Sequence, residues 1–198
     1  LVAEQEGFEA WKALVERAEE AGLKAGSLRG LTSDGSWGMQ EYMQWVLVHV
    51  DHQRCIWHLW RNLRPPFAAA ARRAAARVEG KAAKEQVRAE TCEALGERIH
   101  AVLDAATLAE GQRALAQLDA HPQGEELAAF LAKRLQVALA HTRKGQEGLG
   151  RVSPEWCWRN FRQRLSRGRN HGSAQRLERA ALVWAIYHNF TPTQSRQE

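Results

Sequence analysis

The sequence has few cysteines and no long apolar run. Its 198 residues include three cysteines, an odd number and too few for a disulfide-stabilised scaffold. No apolar run approaches the roughly 20 residues that a membrane span requires. With 44% hydrophobic and 26% charged residues, the composition is that of a soluble globular protein. Membrane-spanning proteins and small disulfide-rich secreted proteins are therefore excluded.

The sequence also lacks an initial methionine and the pattern of a signal peptide. It opens at Leu1 with an acidic amphipathic segment, whereas a signal peptide is basic and then apolar. We therefore expect the sequence to begin inside a longer protein. We also expect a cytoplasmic location, associated with the nucleoid if the source is prokaryotic.

Aromatic residues are scarce in the middle of the chain. All eight tryptophans lie in the first third or near the end, whereas residues 66–150 contain only Phe67 and Phe130. This middle region is rich in alanine, the strongest helix former. We predict three units, which are a core at 1–65, an all-helical insertion at 66–150 and further core helices at 151–198.

The hydrophobic pattern alternates between helix and strand and then becomes helical throughout. The predicted elements are, in chain order, helix 4–22, a strand within 26–33, helix 37–50, strand 52–57 and a helical turn over 58–63 closed by Pro65-Pro66. They continue with helices from 66 to 145, which are an Ala/Arg run and helices 84–105, 108–120 and 124–141, and end with helices 153–167 and 173–190. The alternation over the first 65 residues is typical of an α/β fold.

Positive charge is concentrated at the end of the chain. The net charge is +5, yet residues 151–198 alone carry nine arginines and three acidic residues. Arginine suits bidentate phosphate contacts, so a polyanionic partner is one interpretation. A solvated helix face is the other.

The segment over residues 31–63 carries the most specific pattern. An Asp34-Gly35 pair follows the predicted strand, then come a helix, the run Gln53-Arg54-Cys55-Ile56-Trp57-His58 and the pair Arg61-Asn62. In order and spacing this segment resembles the Mutator-like superfamily of DDE transposases, which includes related bacterial insertion-sequence enzymes. Residues 153–172 are similar to the final catalytic segment of that family, in which a glutamate opens an arginine-rich helix.

The resemblance implies an RNase H-like catalytic core, incomplete here and interrupted by the helical insertion, in a protein that cleaves and transfers DNA strands. Such chemistry uses two Mg²⁺ (or Mn²⁺) ions held by two aspartates and a glutamate. Asp34 is the expected aspartate, and Asp-Gly is also a common turn pair. Glu155 is the preferred glutamate, with Glu178 as its rival. The first aspartate of the triad would lie upstream of Leu1, so the resemblance implies that this fragment is inactive alone.

Cys55 and His58 form a Cys-x-x-His pair. It is either half of a zinc site, completed by Cys157, His171 or His188, or a buried thiol beside a packed histidine. The resemblance implies that both residues shape the site beside the carboxylates without binding metal.

The expected partners are DNA, as transposon ends and target, and further copies of the chain when DNA is bound. The expected phosphate contacts come from five arginines that follow Glu155, namely Arg159, Arg162, Arg164, Arg167 and Arg169. Two other function classes remain, a non-catalytic or domesticated DNA-binding protein and a helical interaction module.

Overall fold

The computed structural model describes residues 7–146, 148–151, 163 and 173–190. Helices dominate this part of the chain. In chain order the elements are α1 (Phe8–Glu20), a 3₁₀ turn (Ala25–Ser27), β1 (Gly30–Ser33), α2 (Trp37–Trp45), β2 (Asp51–Arg54), α3 (Ile56–Ala76), α4 (Lys81–Leu103), α5 (Leu108–Asp119), α6 (Glu125–Ala132), α7 (Leu135–Ala138), a second 3₁₀ turn (Ala140–Thr142) and α8 (Ala174–Phe190).

The two strands are joined through α2 and lie parallel, with Gly30 opposite Asp51 and Ser33 opposite Arg54. Parallel pairing needs a crossover connection, which α2 supplies. The helix-dominated α/β prediction is thus confirmed at this coarse level. An RNase H-like core is not confirmed, because the described residues contain a sheet of two strands only. Strand β2 begins at Asp51, one residue before the predicted start, and ends at Arg54, three residues before the predicted end.

A first apolar cluster joins α1 to α2 and includes Leu31 of β1. Its buried members are Met39, Tyr42, Met43, Leu47 and Val50, and Phe8, Trp11 and Leu31 pack against them. Helix α2 ends at Trp45, five residues before the predicted end. The chain turns there, and Leu47 and Val50 still point inward.

Helix α3 continues through Pro65-Pro66 to Ala76, so the predicted end at these prolines is wrong. Two prolines remove two backbone donors from the helix and crowd the preceding turn. The carbonyls that lose their donors belong to Arg61 and Asn62, which are exposed, so water can satisfy them. Burial of the apolar face of α3, including Leu59 and Leu63, outweighs the local cost.

The second and larger apolar cluster forms where α3 meets the following helices. Leu59 and Leu63 are fully buried together with Leu95 and Ile99 of α4 and Leu127 of α6. Side chains from both sides of residue 66 therefore share one core. The predicted boundary between residues 65 and 66 falls inside α3, and the division into domains stays a prediction.

The remaining helices follow the predictions with changed bounds. The helices expected to begin at 84 and 108 are α4 and α5, whereas the single helix expected over 124–141 is broken into α6, α7 and a 3₁₀ turn. The last predicted helix is α8, and the helix predicted over 153–167 lies outside the described residues. Within the described residues, no helix combines the length and apolar character needed to cross a bilayer.

Candidate active site

The candidate site lies where β1 and β2 end. We call this place the carboxyl edge and define it by Asp34 and Gly35 after β1 and by Arg54 and Cys55 at the end of β2. In parallel sheets with helical crossovers, ligands commonly bind at this edge. The Cys55 N–H donates to the Ser33 carbonyl (2.8 Å), which extends the strand pairing up to Asp34.

Asp34 is half-buried in a tight turn between β1 and α2. Its Oδ1 accepts a hydrogen bond from the Ser36 N–H (3.0 Å), an arrangement that aspartate commonly forms in turns. Gly35 has φ +67°, a left-handed conformation that glycine adopts without a steric penalty. Both residues of the Asp-Gly pair therefore stabilise the turn. The same turn also places a carboxylate at the end of a parallel strand.

The side chain of Arg54 lies against Gly35. A Cβ added at Gly35 would lie 1.2 Å from Nη1 of Arg54 and 2.3 Å from its Cζ. The guanidinium therefore lies close to the glycine backbone, and a larger residue at this position would displace it.

Charges at the carboxyl edge influence one another. Burial lowers the pKa of Arg54, the Asp34 carboxylate raises it, and the nearby Arg134 lowers it. Burial and Arg54 lower the pKa of His52, and Asp34 partly opposes them. The Asp34 carboxylate thus acts on two basic side chains at this edge.

Ser33 connects His52 to this turn. Its Oγ accepts a hydrogen bond from the Gly35 N–H (3.0 Å) and lies 2.7 Å from His52 Nε2. Since that Oγ already accepts a bond from Gly35, its own proton is available to a neutral imidazole. This agrees with the lowered pKa of His52.

Cys55 and His58 flank the start of α3. Cys55 is fully buried and directly precedes the first residue of the helix. The His58 ring meets the Trp57 ring edge-on at 4.8 Å between centroids. Within the described ranges, no group of three or more His, Cys, Asp or Glu side chains is arranged to hold a metal ion.

The chain returns to the carboxyl edge after the helical region. The Thr32 hydroxyl donates to the Gly150 carbonyl (2.5 Å), and the Ile56 N–H donates to the Arg151 carbonyl (3.0 Å). Arg151 is fixed from its other side, because it pairs with Asp104 and donates to the Leu103 carbonyl (2.8 Å). Residue 151 therefore lies next to the start of α3. Glu155 follows four residues later and lies outside the described residues.

Glu178 on α8 is held elsewhere. Its Oε1 lies 3.2 Å from Nη1 of Arg17, in the last turn of α1. The opposite end of α1 is the one near Asp34, since a Cβ on Gly38 would lie 2.6 Å from the Gly7 backbone. Ten residues of helix, about 15 Å, separate Gly7 from Arg17.

The family model of the Mutator family of transposases matches residues 1–138. The chain belongs to this family. The match covers Asp34, the run of residues 53–58 and most of the helical region. No curated protein and no solved structure matches the chain.

In this member of the family, the structure places Cys55 beside the end of β1, next to Asp34, and His58 in the first turn of α3. The arginines predicted to contact DNA, which are Arg159, Arg162, Arg164, Arg167 and Arg169, lie outside the described residues together with Glu155. Their roles stay predictions.

Sequence reasoning gave no role to His52 and Arg54, the two basic side chains whose pKa the Asp34 carboxylate raises. Arg54 stands within the recognised run, and His52 directly precedes that run, so the motif itself was the available signal.

Proposed function

We propose that this chain carries part of the catalytic site of a DNA transposase that cleaves and transfers DNA strands with Mg²⁺ or Mn²⁺. The observation that carries the proposal is the half-buried Asp34 at the carboxyl edge of a parallel strand pair, within the part matched by the Mutator family. A bound divalent ion would activate the attacking oxygen and neutralise the leaving one.

The described residues supply one of the protein ligands that such a metal site needs. Magnesium takes oxygen ligands and commonly binds through one or two carboxylates together with substrate phosphates. Asp34 supplies one carboxylate, fixed in position by the Ser36 N–H. The other protein ligands of the proposed site would be Glu155 and an aspartate from a preceding segment.

The course of the chain supports Glu155 over Glu178. Residue 151 is hydrogen-bonded to the start of α3, one residue after Cys55. Four further residues span at most about 14 Å in extended form and about 6 Å in a helix, so Glu155 is within reach of Asp34. Glu178 is paired with Arg17 at the opposite end of α1.

The test compares carboxylate variants in the transposase as its element encodes it. Asp34→Asn and Glu155→Gln should each lower Mg²⁺-dependent cleavage of the element's ends by roughly 10³-fold or more, because a metal ligand contributes several kcal/mol to the transition state. Binding of the same DNA, measured by fluorescence anisotropy, should persist.

Two matched controls make the comparison specific. Asp51→Asn changes a carboxylate at the opposite end of β2, where it pairs with Arg143. Glu178→Gln changes the rival glutamate. Both should leave cleavage within a few-fold of the wild type. Full cleavage by Asp34→Asn would refute the proposed site, and loss of cleavage in Glu178→Gln alone would assign the glutamate to α8.

A further inference from the structure

Helix α3 carries positive charge without any negative charge of its own. Its 21 residues include four arginines and no aspartate or glutamate. The neighbouring helix α4 contains four lysine and arginine residues together with four glutamates, so its charges balance. Like charges on one helix repel one another and weaken it unless opposite charges compensate them. The composition of α3 therefore favours an anionic partner.

Three of these arginines lie on one side of α3. Arg61, Arg64 and Arg72 are exposed, and at 3.6 residues per turn their positions fall within an arc of about 80° around the helix axis. The buried Leu59 and Leu63 lie on the opposite side. We call the exposed side the arginine face and define it by Arg61, Arg64 and Arg72.

No carboxylate among the described residues compensates the arginine face. None of its three arginines forms an ion pair with a described aspartate or glutamate. The fourth arginine of α3, Arg73, does form one, because its Nη1 lies 3.3 Å from Oε2 of Glu126 on α6. The Arg61 guanidinium lies over the Trp57 ring, with its Cζ 5.9 Å from the centroid. The arginine face is therefore open to an anion from outside the described part of the chain.

The arginine face begins close to the proposed cleavage site. Helix α3 starts directly after Cys55, whose N–H donates to the Ser33 carbonyl beside Asp34. Arg61 is the sixth residue of α3 and Arg72 is the seventeenth. At about 1.5 Å per residue, the face extends over roughly 16 Å, which is the length of about five nucleotides along one strand of duplex DNA.

We propose that the arginine face of α3 binds the phosphate backbone of duplex DNA that extends from the cleavage site at Asp34. Guanidinium groups suit this ligand because their planar forks match phosphate oxygens in a bidentate manner. Such contacts position the DNA and do not read its sequence. This inference rests on the proposed function and names the surface that would hold the substrate.

The experiment measures DNA affinity against salt concentration by fluorescence anisotropy, with the transposase as its element encodes it and a duplex that carries the end of the element. The α3 variant combines Arg61→Gln, Arg64→Gln and Arg72→Gln. Its slope of log affinity against log salt should be smaller by about 2.7, because each phosphate contact on duplex DNA contributes about 0.9. Its affinity at about 0.1 M salt should be roughly 10²-fold lower. An unrelated duplex of the same length should show the same losses, because backbone contacts do not depend on sequence.

A matched control removes the same charge from other exposed positions. The control variant combines Lys81→Gln, Arg88→Gln and Arg113→Gln, which lie on α4 and α5. Its slope should change by less than about 1, since distant exposed charges are largely screened by salt. Thermal unfolding provides the second measurement. The melting temperature of the α3 variant should equal or exceed that of the wild type, because the substitutions are exposed and remove like charges from one helix.

The outcomes separate this inference from the proposed function. Wild-type affinity and slope in the α3 variant would overturn the arginine face and leave the role of Asp34 standing. Equal losses in the two variants would show a general charge effect and would also overturn it. A loss confined to the end of the element would indicate base recognition, and a lower melting temperature with an unchanged slope would indicate a structural role; either result would overturn the backbone contact. Absence of salt-dependent DNA binding by the wild type would overturn both this inference and the proposed function.

Discussion

Gln53 connects β2 to the end of the helical region, and its replacement should destabilise the protein strongly. The side chain is fully buried. Its Nε2 donates to the Ala138 carbonyl (2.8 Å) and to the Arg54 carbonyl (2.7 Å). Its Oε1 accepts a hydrogen bond from the His141 N–H (2.9 Å) and lies 3.0 Å from His141 Nδ1. One amide thus satisfies backbone groups that are 85 or more residues distant in sequence.

Gln53→Leu keeps a side chain of similar volume but removes every polar contact. The Ala138 carbonyl and the His141 N–H would then be buried without partners, at about 1–3 kcal/mol each. After the apolar gain from leucine, the free energy of unfolding should fall by about 3 kcal/mol. For a protein of this length, that change corresponds to a melting temperature about 6–12 °C lower.

The assay is urea unfolding followed by circular dichroism, with thermal unfolding as a second measurement. Gln117→Leu on α5 is the matched control, because that glutamine is exposed and the same chemical change there should alter stability by less than about 0.5 kcal/mol. Hydrogen exchange at the His141 amide should accelerate in Gln53→Leu. A Gln53→Leu protein as stable as the control would refute the role assigned to this hydrogen-bond network.

Three further changes have directions set by the structure. Gly35→Ala should lower the free energy of unfolding by about 1–2 kcal/mol through its positive φ; an unchanged urea midpoint would contradict this. Pro65→Ala should raise the urea midpoint, with a gain of about 1–3 kcal/mol, because it restores a donor for the Arg61 carbonyl in an exposed turn; a lower midpoint would show that the proline is stabilising. Burial and Arg54 lower the pKa of His52 from its ordinary value of 6.5. Near and below pH 6.5, His52 therefore binds a proton more readily in the unfolded chain than in the folded one. The free energy of unfolding should thus fall as the pH decreases from 7.5 to 5.5. His52→Gln should flatten this dependence in urea unfolding, and an unchanged slope would assign it to other groups.

The elements near Asp34 were largely predictable from the sequence because local rules determine them. Alternation and β-forming residues predicted the strand before Asp34, and the Asp-Gly pair predicted the turn after it. The alanine-rich region was predicted to be helical for the same reason. Family resemblance singled out Asp34, Cys55 and His58; the structure places Asp34 and Cys55 side by side where the two strands end, and the roles of the three residues stay predictions.

Helix α3 shows where local rules failed. Pro65-Pro66 is a strong signal for a helix end, yet the helix continues for ten residues beyond Pro66. The deciding energy is the burial of Leu59, Leu63 and later alanines against α4, which no local window contains. The predicted boundary at residue 65 relied on the same local signal.

The sequence by itself determined the helical composition, the strand that ends just before Asp34 and the family to which the chain belongs. Each of these depends on residues close together in the chain, where periodicity and turn chemistry act. The tertiary structure alone decided that Gln53 meets His141 and that residue 151 returns to the start of α3. These contacts join residues 80 or more positions apart, and they form only because burial of the shared apolar core brings distant helices together.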